Sequence, residues 1–403
     1  MTRIRTTAWL TAALLWASAC GGGSGDRVDE LPPPTDTNAE ALARRAYIVD
    51  RDHPQLTVID LGSMEIIGRV DTRGLANHMA ELSADFGKIY VTSSDSNELV
   101  VIDARTLRVA KRVPAGKHPT HLSLLPGGKH LALMSEDDNS LVFVDTTMDE
   151  VVKSLPGFYT PHFMRFDAAG KLGYVANIGA GHITRVDLST LEIVDHIALE
   201  GMSVPPTPTL APDEGGFADA QIDKSGILYA AHAATGRVIV YDTVAGQKLP
   251  DLFVGLGPWV VFADHHFDDL PLRHFVPTFR DSSVAMIDGD RREVVRRFVG
   301  DEEAYGVNYS SRAPNKAFVM NRVRQDIAVV DTAAGAVMAR IPVGGNTETA
   351  ATTADGRFIV AAVSSAARVV FIDPETNTIA KSFDNLGRYP WSVTIPNGQN
   401  YCH

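Results

Sequence analysis

The sequence predicts an all-β fold, an eight-bladed β-propeller closed by its C-terminal strand. Three observations point there. The phrase GKIYVTSSDSNELVVID at 87–103 reads as a strand of strong strand formers, a polar turn and an apolar strand closed by Asp103. The phrase recurs, with closing aspartates at Asp60, Asp103, Asp145, Asp187, Asp242, Asp288, Asp331 and Asp373, in steps of 43, 42, 42, 55, 46, 43 and 42 residues. Finally, the first copy lacks a strand before it, whereas the chain ends with one to spare, at 392–395. A unit of this size cannot bury its own apolar face, so the copies must pack on one another. Seven blades with one degenerate repeat is the alternative count; eight anchors favour eight.

Taken in order, the chain begins with Arg3 and Arg5 ahead of an apolar run from Ala8 to Ala19, too short to span a membrane. This is the pattern of a secretory signal, 1–19. Residues 20–43, with Gly21-Gly22-Gly23 and Pro32-Pro33-Pro34, read as a flexible tether, and 44–403 as the propeller. In the unit after Thr120, strands are expected at 121–125, 130–134, 141–145 and 151–155, with turns at Pro126-Gly127-Gly128 and 136–139. Four short strands per unit is the blade pattern. The spare strand after Trp391 should complete the first blade and remove the open sheet edges. The long step between Asp187 and Asp242 holds EGMSVPPTPTLAPDEGGF at 200–217. Its prolines and glycines make it an extended loop, either a lid on the central site or a variable insertion.

In a propeller, loops between blades and between second and third strands share one face, here called the top. That face is expected to receive His53, His78, His118, His121, His162, His182 and His232, together with Arg280, Arg322, Arg324, Glu348 and Trp391. His78, His121 and His162 begin inner strands of three successive blades, so they can converge on the axis. Neutral imidazoles ligate zinc, copper or iron, and three of them can hold a metal or a haem iron. The bland reading is a set of hydrogen-bonded histidines at the channel mouth. Two weaker metal candidates are Asp264-His265-His266 with Asp268-Asp269, in a turn of the opposite face, and the terminal Cys402-His403, whose side chains point to opposite sides of a strand.

Composition narrows the functions. The 403 residues are 45% hydrophobic, enough for a large core, and the net charge of -12 with no basic block argues against nucleic acid. Cys20 and Cys402 are the two cysteines, which rules against a disulfide framework. No G-x-S-x-G, H-E-x-x-H, Walker A loop or dinucleotide fingerprint is present.

Several motifs resemble known families. Ala17-Ser18-Ala19-Cys20 resembles the lipobox of bacterial lipoproteins, apart from Ala17 where that family usually has Leu. The resemblance implies lipidation at Cys20, a membrane partner through that anchor, and an exported, periplasmic or surface protein. A plain secretory signal is the other reading. Tyr90-Val91-Thr92 and Tyr174-Val175-Ala176-Asn177 resemble the repeat of the YVTN propellers over about 44–403. Ala76-Asn77-His78-Met79 before Leu82-Ser83-Ala84-Asp85, and 282–287 (SSVAMI), are similar to the haem d1 domain of cytochrome cd1 nitrite reductase and to the haem d1 assembly propellers. That resemblance implies a haem-ligating role for His78. The chain lacks C-x-x-C-H, so it carries no c-type haem donor, which favours binding or carriage over nitrite reduction. Three readings follow: a monomeric envelope lipoprotein holding a haem-type tetrapyrrole or Zn/Cu ion at His78, His121 and His162; an envelope protein-interaction scaffold; and a d1-like oxidoreductase.

Overall fold

The computed structural model describes residues 28–206, 215–263, 272–299 and 303–401, without the side chains of Val299 and Glu348. Asp264, His265, His266, Cys402, His403, Cys20 and the centre of the 200–217 loop lie outside the described residues.

Eight sheets follow one another around an axis, so the expected eight-bladed propeller is the fold. Each repeat closes on the same turn, and this turn is why aspartate marks the repeat. In all eight, the carboxylate ending the third strand accepts the backbone N–H groups two and three residues on, as Asp103 does from Arg105 at 2.9 Å and Thr106 at 2.7 Å. The residue four positions on has a left-handed backbone in every copy, from Met64 to Asn377, with Gly246 and Gly335 taking it without strain. The two N–H groups on Asp145, from Met148 and Thr147, hold its carboxyl below the usual range.

The strands of the third blade run Pro119–Leu124, His130–Ser135, Ser140–Asp145 and Glu150–Pro156, within two residues of expectation. The spare strand, Pro390–Thr394, pairs antiparallel with Arg45–Asp50 and supplies the inner strand of blade 1. Beyond it, Gln399–Asn400 adds to the inner strand of blade 8. Blade 6 departs from the pattern: it has three regular strands, and its inner position is filled by a segment joined through the bridges Pro258↔Thr278 and Phe262↔Phe275. Eight apolar clusters fill the eight seams between neighbouring blades. The seam of blades 8 and 1 buries Val360, Phe371, Ile48 and Val393, so it is packed like the others.

The segment just before the first strand packs on the propeller. Ala39–Ala43 forms a one-turn helix capped by Asn38, whose side chain accepts from Ala41 N at 2.9 Å. Leu42 is fully buried in the seam of blades 1 and 2. The buried Arg45 ties this segment down, donating to the carbonyls of Ala104 and Asp36. Apolar burial wins here because Leu42 fills a seam that the blade strands leave open.

Candidate functional site

The three inner-strand histidines converge. The His78 and His121 ring centres are 4.6 Å apart, and those of His121 and His162 are 4.0 Å apart. All three are buried. The backbone device that aims them is shared: the inner strands of blades 2, 3 and 4 each slip register between their first and fourth residues, at Asn77/Ala80, Pro119/Leu122 and Pro161/Met164. Each histidine sits inside that bulge, and a bulge redirects the side chains it carries. Trp391 from blade 1 flanks His78 at 5.6 Å, and Trp259 from blade 6 flanks His162 at 6.1 Å.

Hydrogen bonds fix the tautomers. Thr120 Oγ1 donates to Glu136 Oε1 at 2.6 Å, so it accepts from His121 Nδ1 at 3.2 Å. His162 Nδ1 faces the carbonyl of Ala218 at 2.9 Å and therefore carries a proton. In both rings the lone pair lies on Nε2. His78 Nε2 is buried with no hydrogen-bond partner. Burial holds the His78 pKa well below the usual histidine value, helped by the fields of His162, Arg51 and His118, so His78 is neutral at pH 7. Neutral imidazole is the ligating form.

Glu136, read from sequence as part of a polar turn, belongs to this cluster. One ligand atom each from His121, Glu136 and His162 lie within 4.8 Å of one another. Zinc bonds of about 2.0–2.1 Å in a tetrahedron need donors roughly 3.4 Å apart. Side-chain shifts of about 1 Å close that gap. The donor set, imidazole nitrogens with one carboxylate and no sulfur, suits zinc or copper(II) rather than copper(I).

The other candidates are placed elsewhere. His182 is fully buried beside Tyr159 and His196, each 4.8 Å away between ring centres. His232 packs on Phe217 at 4.9 Å and bonds Thr235 Oγ1 at 3.0 Å. Burial lowers the pKa of both to about 4. They begin the third strand of blade 4 and end the second strand of blade 5, so they stand behind the inner strands and not on the axis. His118 is half exposed on the rim, 3.7 Å from Asp95. His53 lies in the first hairpin turn of blade 1 with its Nδ1 buried. Arg280 is exposed in the hairpin turn of blade 6, while Arg322 stacks on Tyr305 at 3.4 Å and Arg324 reaches Asp326 at 3.5 Å. The described ends of the long loop lie over blades 4 and 5: Glu200 bonds Arg237 and Asp251, and Tyr159 Oη donates to the carbonyl of Pro205. Gly216 is pinned against the 177–180 loop, where a Cβ would come 2.3 Å from Ala180 O.

Below the histidines, the later residues of the inner strands line a cavity of about 340 Å³. On its wall Arg165 meets Asp219 with two bonds, at 3.1 and 2.7 Å, and stacks 4.2 Å above Phe163. Glu81 also borders it; burial raises its pKa to about 7, against the pull of the Leu82 and Leu124 backbone and of Arg165.

The cytochrome D1 heme domain family matches residues 273–387, which span blades 6 to 8. The expected likeness to that family is therefore present, on the side of the ring opposite the histidines. No curated protein matches the sequence. Among solved structures, dihydro-heme d1 dehydrogenase NirN in complex with DHE has a TM-score of 0.75 at 15% identity, covering 91% of this chain and 78% of that one. Apo AztD from Citrobacter koseri has a TM-score of 0.59 at 12% identity, covering 87% and 96%. At these identities the likeness is one of fold.

Proposed function

We propose that this propeller binds a divalent transition metal on its axis, zinc first, and serves as a carrier or assembly protein and not as a catalyst. The observation that carries the reading is the cluster of His121, Glu136 and His162 ligand atoms within 4.8 Å of one another. His78 stands against His121 as a further neutral donor. The Glu136–Thr120–His121 chain orients one ligand through its other ring nitrogen, as metal-ligating histidines commonly are.

A second reading, a haem-type tetrapyrrole with one of these histidines on its iron, draws on the family match at 273–387. Titrating metal-free protein with zinc, copper and hemin separates the two. Zinc is expected to bind with one ion per chain, and tighter than about 10 μM, or about -7 kcal/mol. A Soret shift with hemin and no zinc binding favours the tetrapyrrole. No binding by any of the three leaves the protein-contact scaffold.

The envelope location is part of the same proposal and rests on the sequence around Cys20. Cys20→Ala should move the protein from the membrane fraction to the soluble periplasm; unchanged fractionation rejects the lipid anchor.

A further inference from the structure

Among the polar groups on the wall of the cavity under the histidines, several are acceptors. Thr394 Oγ1 donates its proton to Ala80 O at 2.8 Å, and Ser123 Oγ donates to Met164 O at 3.1 Å. A hydroxyl has one proton, so both present lone pairs to any further partner. Gln399 is 8% exposed; its Nε2 donates to Tyr401 Oη, which in turn faces Ala263 O at 3.3 Å. That chain fixes the amide orientation and leaves Gln399 Oε1 buried without a hydrogen-bond partner. A buried acceptor with no donor carries a desolvation penalty that a ligand can remove.

The charges point the same way. The Arg165 guanidinium is matched by its two-bonded partner Asp219, which also accepts from Gln221 Nε2. Glu81 accepts from the backbone of Leu82, at 2.8 Å, and of Leu124, and it feels the charge of Arg165, but among the described residues it makes no ion pair within 4.0 Å. The cavity region therefore carries one carboxyl more than the Arg165–Asp219 pair accounts for, with acceptors beside it. Hydrogen-bond donors carrying positive charge complement such a wall.

We propose that this cavity is a binding site for a small organic cation, a primary ammonium, held by the Glu81 carboxylate, Gln399 Oε1 and the hydroxyl lone pairs of Ser123 and Thr394. The C-terminal tail forms part of the site as well as closing the ring, because residues 398–401 line the cavity. The proposal is independent of the metal reading, and metal-free protein is the material that tests it.

The test is calorimetric titration of the full chain, in a chelating buffer at about pH 8 where Glu81 is ionised, with 1,4-diaminobutane. The uncharged 1,4-butanediol and acetate serve as comparisons. The diamine is expected to bind and the diol and acetate to give no heat. Glu81→Gln keeps the shape and removes the charge; it should weaken the diamine about 10-fold or more, the worth of a charge-assisted hydrogen bond. Gln399→Met keeps the packing and removes the acceptor, and should weaken binding in the same direction. His182→Ala, behind the inner strands beside Tyr159 and His196, should leave diamine binding unchanged. The proposal is overturned if the diol or acetate binds as well as the diamine, if neither wall variant weakens it, or if no heat appears by about 10 mM.

Discussion

Blades 2 to 4 and blade 5 begin their inner strands with the same backbone device and fill it differently. Blade 5 slips register between Phe217 and Ala220, as blades 2 to 4 slip between their own first and fourth residues. Inside the bulge it carries Ala218, where blades 2 and 4 have His78 and His162. The carbonyl of Ala218 then accepts from His162, so the blade without a histidine orients its neighbour's. The repeat thus supplies aimed positions, and the residues placed in them decide the chemistry. Blade 6 makes the same point from the other side: its irregular inner segment brings Trp259 to the axis with no regular strand.

The strongest way to break this comparison is to open the ring that holds the blades around one axis. Deleting 390–403 removes the inner strand of blade 1 and exposes two sheet edges. Aggregation, or a melting midpoint lowered by more than about 10 °C, is the expected result in a thermal scan. A truncated chain that melts like the intact one would show that the seam of blades 8 and 1 closes without this strand.

Next in size is the contrast between histidines within and outside the bulges. His121→Ala should cost zinc affinity about 100-fold, because it removes one donor and the partner of Thr120. His182→Ala should change it less than about 3-fold, since His182 packs with Tyr159 and His196. Competition against a chromogenic chelator measures both, and equal losses would undo the distinction.

The buried histidines should also make the fold acid-labile. Burial holds His182 and His232 at about 4 in the folded chain, against about 6.5 for an ordinary histidine. The unfolded chain binds protons first, so stability is lost as pH falls from about 6.5 towards 4, on the order of 3 kcal/mol for each. Denaturant midpoints measured across that range should fall less steeply in His182→Phe, which keeps an aromatic ring and removes the titration.

Glu81 works with the opposite sign and a smaller size. Burial pushes its carboxyl up to about 7 in the folded chain, against about 4.5 for an ordinary glutamate. The folded chain keeps the proton longer, so this group costs stability progressively as pH rises from about 4.5 through 7. Because the carboxyl borders a cavity that admits water, about 2 kcal/mol is expected. Glu81→Gln should accordingly stabilise the protein more at pH 8 than at pH 5. An equal effect at both values would place an ionised carboxylate there throughout.

Much of the fold was legible because its signals are local. Each closing aspartate binds N–H groups two and three residues away, so the turn, and with it the period, is written in a few consecutive positions. The missing first strand and the spare last one are likewise a matter of counting, and they predicted the pairing of Pro390–Thr394 with Arg45–Asp50. The convergence of His78, His121 and His162 followed from their place near the start of the inner strand in three successive units, second in its strand for His78 and His162 and third for His121.

Other features depend on contacts between distant parts of the chain. Glu136 joins His121 and His162 only after a hairpin folds it beside Thr120, and a polar residue in a turn bears no mark of that. His182 and His232 fall at the same face in sequence, yet stand behind the inner strands, because they belong to the third strand of blade 4 and the second strand of blade 5. Composition favours a flexible segment before residue 44, whereas Leu42 and Arg45 find a seam and two carbonyls that exist only once blades 1 and 2 have packed. The sequence by itself determined the repeat, the closure and the three histidines at inner-strand starts, because periodicity and local hydrogen bonding need no partner. Tertiary structure alone decided the register slips, the tautomers and the pairing of Arg165 with Asp219, because each depends on which groups from separate blades meet with water excluded.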